Sequence, residues 1–254
     1  MTAPAYRRLS VDQRRGQLIR TALDLFARRA PEEVSLDDVA GAAGVSRPLV
    51  YRYFPGGKQQ LYEAALRSAA DEVEGCFREP AQGPLTGRLS RALARYLDFV
   101  DQHAAGFKAL LQGGSVVETS GTGAIVDEVR RDAAEQILRH LEIPEPGPRL
   151  RLMVRTWISA VEGASLIWLD EGKRPPGAEL RRWLLDHLIT LLVATAADDA
   201  QTASVLRRAL ELEEPDGAVA SLVERVAPLL AEAVLPGGEG AEHPETGESG
   251  PGER

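Results

Sequence analysis

Cysteine, histidine and aromatic residues are scarce in this chain, and each scarcity removes a class of function. Cys76 is the single cysteine, so neither an internal disulfide framework nor a cysteine-based metal site can form. The four histidines, His103, His140, His187 and His243, are scattered without metal-ligand spacing, and no metal or cofactor is expected. Aromatics make up 5% and runs of β-branched residues are short, which favours helix over sheet. No apolar run approaches the length of a membrane span, and the polar, basic stretch Met1–Arg15 lacks the apolar centre of a secretory signal. A cytoplasmic protein with no membrane partner is the expectation. Catalytic constellations are missing too. The glycine-rich segment Gly113–Gly123 is expected as a loop, but no strand precedes it and no Lys-Ser/Thr follows it, so it is not a phosphate cradle. An enzyme is not expected.

What the chain has in quantity is acid, unevenly placed. The net charge of −8 conceals a basic head: residues 1–70 hold 11 Lys or Arg against 7 Asp or Glu. The remaining residues hold 19 against 31. Attraction for a polyanion is thereby confined to one end of the molecule. Apolar residues make up 44% of 254, enough for one large helical domain or two smaller ones.

Helical periodicity begins near Val11 after a polar arm carrying Arg7 and Arg8. Leu18, Ile19, Ala22, Leu25 and Phe26 share a stripe, Ser10 is placed as its N-cap, and Pro31 closes the helix. Ser35 caps a short second helix with Asp37 and Asp38 in its first turn, and Gly44 stops it. A third starts after Ser46, with Pro48 in its first turn, and runs to about Phe54. Further helices are expected at about 58–77, 86–102, 104–112, 124–141, 149–170, 177–197, 199–212 and 217–235. From Pro236 onward the chain is mostly Gly, Glu and Pro, and disorder is expected.

Residues 35–54 have the spacing of a helix-turn-helix. Ala40 is followed by Gly44 in the turn, while Val39, Ala43, Val45, Val50 and Tyr53 take the positions that lock two crossing helices. Ordinary helical hairpins meet parts of that spacing, so the outward residues carry the argument. Arg47 suits guanine edges, and Tyr51 can donate to phosphate. Lys58 opens the fourth helix, where its charge and free backbone N–H groups can meet a phosphate.

The run Val45-Ser46-Arg47-Pro48-Leu49-Val50-Tyr51-Arg52-Tyr53-Phe54-Pro55, followed by Lys58, resembles the signature of the TetR (tetracycline repressor) family. Leu25-Phe26-Ala27 and Ser35-Leu36-Asp37-Asp38-Val39-Ala40 match it upstream, so the motif covers about residues 11–66. The resemblance implies an all-α fold, with a three-helix helix-turn-helix head on a larger helical ligand-binding and dimerisation body. It implies base contacts from Arg47 and Pro48 and phosphate contacts from Tyr51, Tyr53 and Lys58. Ser35, Ser46 and Arg52 complete the DNA-facing set. For Tyr53, core packing is an equal alternative, and for Arg52 a solvated face. The pattern departs at Gly56-Gly57, where relatives carry one residue, and this puts the Lys58 contact in question.

In the body, helix 149–170 is apolar on nearly every side and must be buried on nearly every side. The resemblance implies that it and the next helix meet their partner copies in a four-helix homodimer interface, through Ile158, Val161, Ser165, Trp183, Leu184, Leu188 and Leu191. Its other face is expected to line a cavity for a small, largely apolar effector, with Phe99, His103, Phe107, Leu111, Met153, Trp157, Glu162 and Trp168 as candidates. A filled core is the alternative for each. Glu162 either hooks a cationic ligand or pairs with Arg155 or another structural partner. The resulting divisions are 1–58 (arm and DNA-binding head), 59–198 (body), 199–235 (extra helices) and 236–254 (acidic tail). The function so read is a regulator, in the first place a repressor, that binds a palindromic DNA operator as a homodimer and is released by effector. An activator, or a ligand- or protein-binding module without DNA function, is the alternative.

Overall fold

The computed structural model describes residues 9–80, 82–111, 120–143 and 145–234. Among them are eleven α-helices and no strand. These are α1 (Val11–Arg28), α2 (Leu36–Ala43), α3 (Arg47–Tyr53), α4 (Gly57–Cys76), α5 (Leu85–Gln102) and α6 (Ala104–Leu111). Then follow α7 (Ser120–His140), α8 (Pro148–Asp170), α9 (Gly177–Asp198), α10 (Ala200–Glu211) and α11 (Ala218–Val234). The arm with Arg7 and Arg8, the tail from 236 and part of the Gly113–Gly123 segment lie outside the described residues. The rest of that segment is not loop as expected: α7 takes in Ser120 to Gly123, whose two glycines are tolerated inside a helix of 21 residues.

Two apolar cores form. The first joins α1–α3 to the front half of α4, through Leu18, Phe26, Val34, Val39, Val50, Phe54, Leu61 and Tyr62. Phe26 and Tyr62 meet edge to face with ring centroids 5.0 Å apart. The second gathers the rear of α4, at Val73 and Cys76, with α5 and α7–α10. α4 therefore belongs to both cores. The division expected at 58 falls just inside its first turn, ahead of the head residues Leu61, Tyr62 and Ala65.

The local signals behave as their chemistry dictates. Ser10 and Ser35 each accept from the backbone N–H three residues on, and Gln13 and Asp38 return the bond. The Ser35 hydrogen bonds hold the Asp38 carboxyl below its ordinary range. Gly44 adopts φ +65°, with Gly44 N–H donating to Gly41 O and Val45 N–H to Ala40 O, which closes the last carbonyls of α2.

One expectation about the body changes. Among the described residues, α8 is one helix long and apolar enough to cross a membrane by length and composition, where none was expected. Its Leu150, Val154, Trp157 and Val161 are buried in the body core. The extra helices pack on the body. Thr202 and Val205 of α10 are buried, and Glu213 accepts from Thr86 N–H (3.1 Å) and Thr86 Oγ1 (2.5 Å) at the start of α5. Arg225 of α11 grips Asp186 of α9 with 2.9 Å contacts to both carboxylate oxygens.

Candidate nucleic-acid interface and ligand cavity

Head residues expected to face DNA divide cleanly by burial. Ser35, Ser46, Arg47, Pro48, Tyr51 and Arg52 are exposed, whereas Tyr53 is half-buried against the head core. Val50 and Phe54, fully buried on the opposite side of α3, fix which side of that helix looks outward. Arg47 is not idle in the free protein. Its Nη1 donates to Asp37 Oδ2 at 2.9 Å, and its guanidinium lies 5.6 Å from the centre of the Tyr51 ring. Asp37 thus holds the side chain across the two helices. Sequence pattern did not reveal this partner, because Asp37 reads there only as a favourable first-turn charge.

The Gly56-Gly57 departure is absorbed in a turn. Gly57 N–H donates to Phe54 O at 2.9 Å and Gly57 takes φ +69°, so the two glycines form the turn from which α4 starts. Lys58 follows, with Nζ donating to Glu32 O at 3.2 Å. A phosphate would have to replace that carbonyl.

Behind the head lies an apolar cavity of about 120 Å³. Phe99, His103, Phe107, Leu111 and Glu162 line it as expected of them. Its walls also include Leu23, Phe26 and Ala27 of α1 and Tyr62 and Ala65 of α4, none of them among the expected cavity residues. The cavity is thus shared between head and body. Met153, Trp157 and Trp168 do not line it. Trp157 donates Nε1–H to Leu184 O (3.0 Å) and Trp168 to Pro175 O (2.7 Å), while Met153 is buried in the body core. Trp157 instead lines a second, smaller cavity of about 60 Å³ beside the first.

A few polar groups interrupt the apolar wall. Glu162 is held by a structural partner, which is Arg130 of α7 through Nε (3.1 and 3.0 Å) and Nη2 (2.9 Å) and not Arg155. Arg155 sits seven residues upstream on the same helix, whereas α7 brings Arg130 alongside. His103 Nδ1 meets Phe99 O at 3.0 Å, and its ring stacks on Phe99 at 4.3 Å. The buried Tyr96 hydroxyl lies beside that of Ser165, which donates to Val161 O at 2.8 Å. Burial, reinforced by the Glu162 carboxylate, keeps that phenol protonated far above its ordinary range.

Two family models match the chain: "bacterial regulatory proteins, tetR family" at residues 18–65 and "tetracyclin repressor-like, C-terminal domain" at residues 85–191. The crystal structure of a tetR-family transcriptional regulator from Streptomyces coelicolor aligns with 88% of this chain and 100% of its own, at 51% identity and a TM-score of 0.83. The chain belongs to the tetR family. It is also similar to the HTH-type transcriptional activator FasR of Mycolicibacterium smegmatis, 29% identical over 50% of this chain and 63% of that protein. The HTH-type transcriptional regulator EthR of Mycobacterium tuberculosis is 32% identical over 30% of this chain and 35% of its own. The chain therefore spans less than two thirds of either curated relative.

For a tetR-family regulator, the outward faces of α8 and α9 are the next question, and here the expected residues change. Val161, Ser165, Leu184 and Leu188 are buried within the chain itself and are not available to a partner. Ile158 and Leu191 are half-buried, and only Trp183 of the expected set stands exposed. The apolar residues that do face outward are Leu152 (67% exposed) and Ile167 (64%) on α8, and Trp183 (53%) and Val193 (52%) on α9. An all-round apolar helix conceals which of its faces the protein's own core takes, so sequence reading chose the inner one.

Proposed function

We propose that this tetR-family regulator binds a palindromic DNA operator as a homodimer and leaves it when a small, mainly apolar effector fills the cavity. The observation that carries this reading is the composition of the cavity wall. Residues of α1 and α4, which also build the head core, stand opposite residues of α6 and α7. At about 120 Å³ the space is smaller than the roughly 300–1,000 Å³ of a drug-sized site, so such an effector would have to move helices to enter. Movement of α1 and α4 repositions the head. A shift in head spacing disengages one of two recognition helices that must reach successive major grooves, about 34–36 Å apart.

Leu152, Ile167 and Trp183 support a homodimer, since solvent-facing apolar residues of this size on adjacent helices favour association. On DNA, Arg47 and Pro48 would face bases, and Tyr51, Lys58 and the N-termini at Ser35 and Ser46 would face phosphates. Repression is the first mode. Activation is the second, favoured by one observation: the relative FasR is named an activator. Footprinting on the DNA upstream of the chain's own gene tests the reading. Protection of two half-sites about one helical turn apart is expected, and protection of a single half-site, or none, would count against it.

A further inference from the structure

So far the effector is specified only as small and apolar. Its other end has a place as well, and the argument for it rests on the cavity being the effector site. The apolar cavity shares Val73, Tyr96, Val129 and Glu162 with a second one of about 60 Å³ between α4, α5, α7 and α8. That second cavity shares Arg130 and Ile158 with an open polar pocket of about 300 Å³ at the edge of α7 and α8. The polar pocket is lined by Asp127, Arg130, Arg131, Arg155, Ile158 and Ser159.

Arg130 already serves two carboxylates, Glu162 at 2.9 Å and Asp127 at 3.3 Å. Arg131 and Arg155 are exposed and have neither ion-pair nor hydrogen-bond partner among the described residues. Two unpaired guanidinium groups stand together in the acidic part of the chain, where carboxylates to neutralise them are abundant. Their planar donor forks match a carboxylate or phosphate better than any other small group. Further in, Tyr96 forms part of the wall between the first two cavities, its buried hydroxyl beside that of Ser165.

We propose that the effector is an amphipathic anion, with its apolar chain in the two adjoining cavities and its carboxylate or phosphate head at Arg131 and Arg155. Arg130 and Glu162 form the wall between chain and head. The exposed Arg130 side chain must swing aside for the two to join.

Isothermal titration calorimetry of the full chain with decanoate, decyl phosphate and decanol, each below its aggregation limit, tests this. At least one of the two anions is expected to bind about tenfold or more tightly than the alcohol, as charge-assisted hydrogen bonds would give. Which anion gains more identifies the head group. An Arg131→Ala/Arg155→Ala variant is expected to bring that anion down to the alcohol's affinity while leaving decanol unchanged, and Arg131→Lys/Arg155→Lys to keep part of the preference. Equal binding of all three probes, or a preference that survives the double alanine variant, would overturn the head-group site and leave the apolar effector site standing. Failure of all three to bind would overturn both.

Discussion

At the scale of single residues, the placement of the candidate side chains is legible where exposure alone sets it, and illegible where a partner from another helix sets it. Arg47 and Tyr51 stand outward on a short helix whose other side, Val50 and Phe54, is plainly apolar. The Asp37 carboxylate that holds Arg47, and the Arg130 that holds Glu162, come from neighbouring helices and leave no mark in local spacing. Arg88 and His140 are a third such pair. Arg88 is buried, and its Nη1 meets His140 Nδ1 at 3.0 Å. Burial, then the Arg88 charge, lowers the His140 pKa from its ordinary 6.5. A group with a depressed folded-state value binds fewer protons than the unfolded chain does. Its stabilisation is complete above the unfolded value near 6.5 and is lost as pH falls from there through the folded value. Thermal melts between pH 7.5 and 5.5 are expected to show falling stability, with a shallower fall in His140→Asn, whose amide oxygen can still accept from Arg88. Equal slopes would show that His140 does not carry the effect.

At the scale of elements, helix positions followed from capping and periodicity, while the junctions between helices did not. Gly106 illustrates the difference. It looks unremarkable within α6, yet a Cβ there would lie 2.9 Å from the Phe26 carbonyl oxygen of α1. Backbone cannot yield at that distance, so α6 and α1 touch only because residue 106 is glycine. Gly106→Ala is expected to push α6 away from the head and to weaken operator binding several-fold with no effector present. Unchanged affinity in a folded variant would mean that this contact does not couple body to head. Gly57 is a second such position, at φ +69°. Gly57→Ala is expected to cost about 1–2 kcal/mol from left-handed strain, read as a lowered Tm.

For the whole molecule, the division into a basic head and an acidic body was legible from charge and from the motif. The inside and outside of the body were not, because α8 is apolar on nearly every side. In the structure, Trp157 and Val161 take its inner face, while Leu152 and Ile167 are left outside. Ile167→Glu replaces an exposed side chain and should leave the protomer folded. Sedimentation equilibrium is expected to show a dimer for the unaltered chain and a monomer for the variant, with operator affinity lost in parallel. A variant that stays dimeric would move the interface elsewhere.

Operator binding by the outward residues of α3 is the claim on which the rest depends. The most direct test is the affinity of the footprinted operator, followed by fluorescence anisotropy across a salt series, for the unaltered chain and for Arg47→Ala/Tyr51→Ala. A bidentate base contact is worth about 1–3 kcal/mol, so the double variant should bind at least about tenfold more weakly per half-site, with a shallower salt dependence. Unchanged affinity and salt slope in the folded variant would contradict the account.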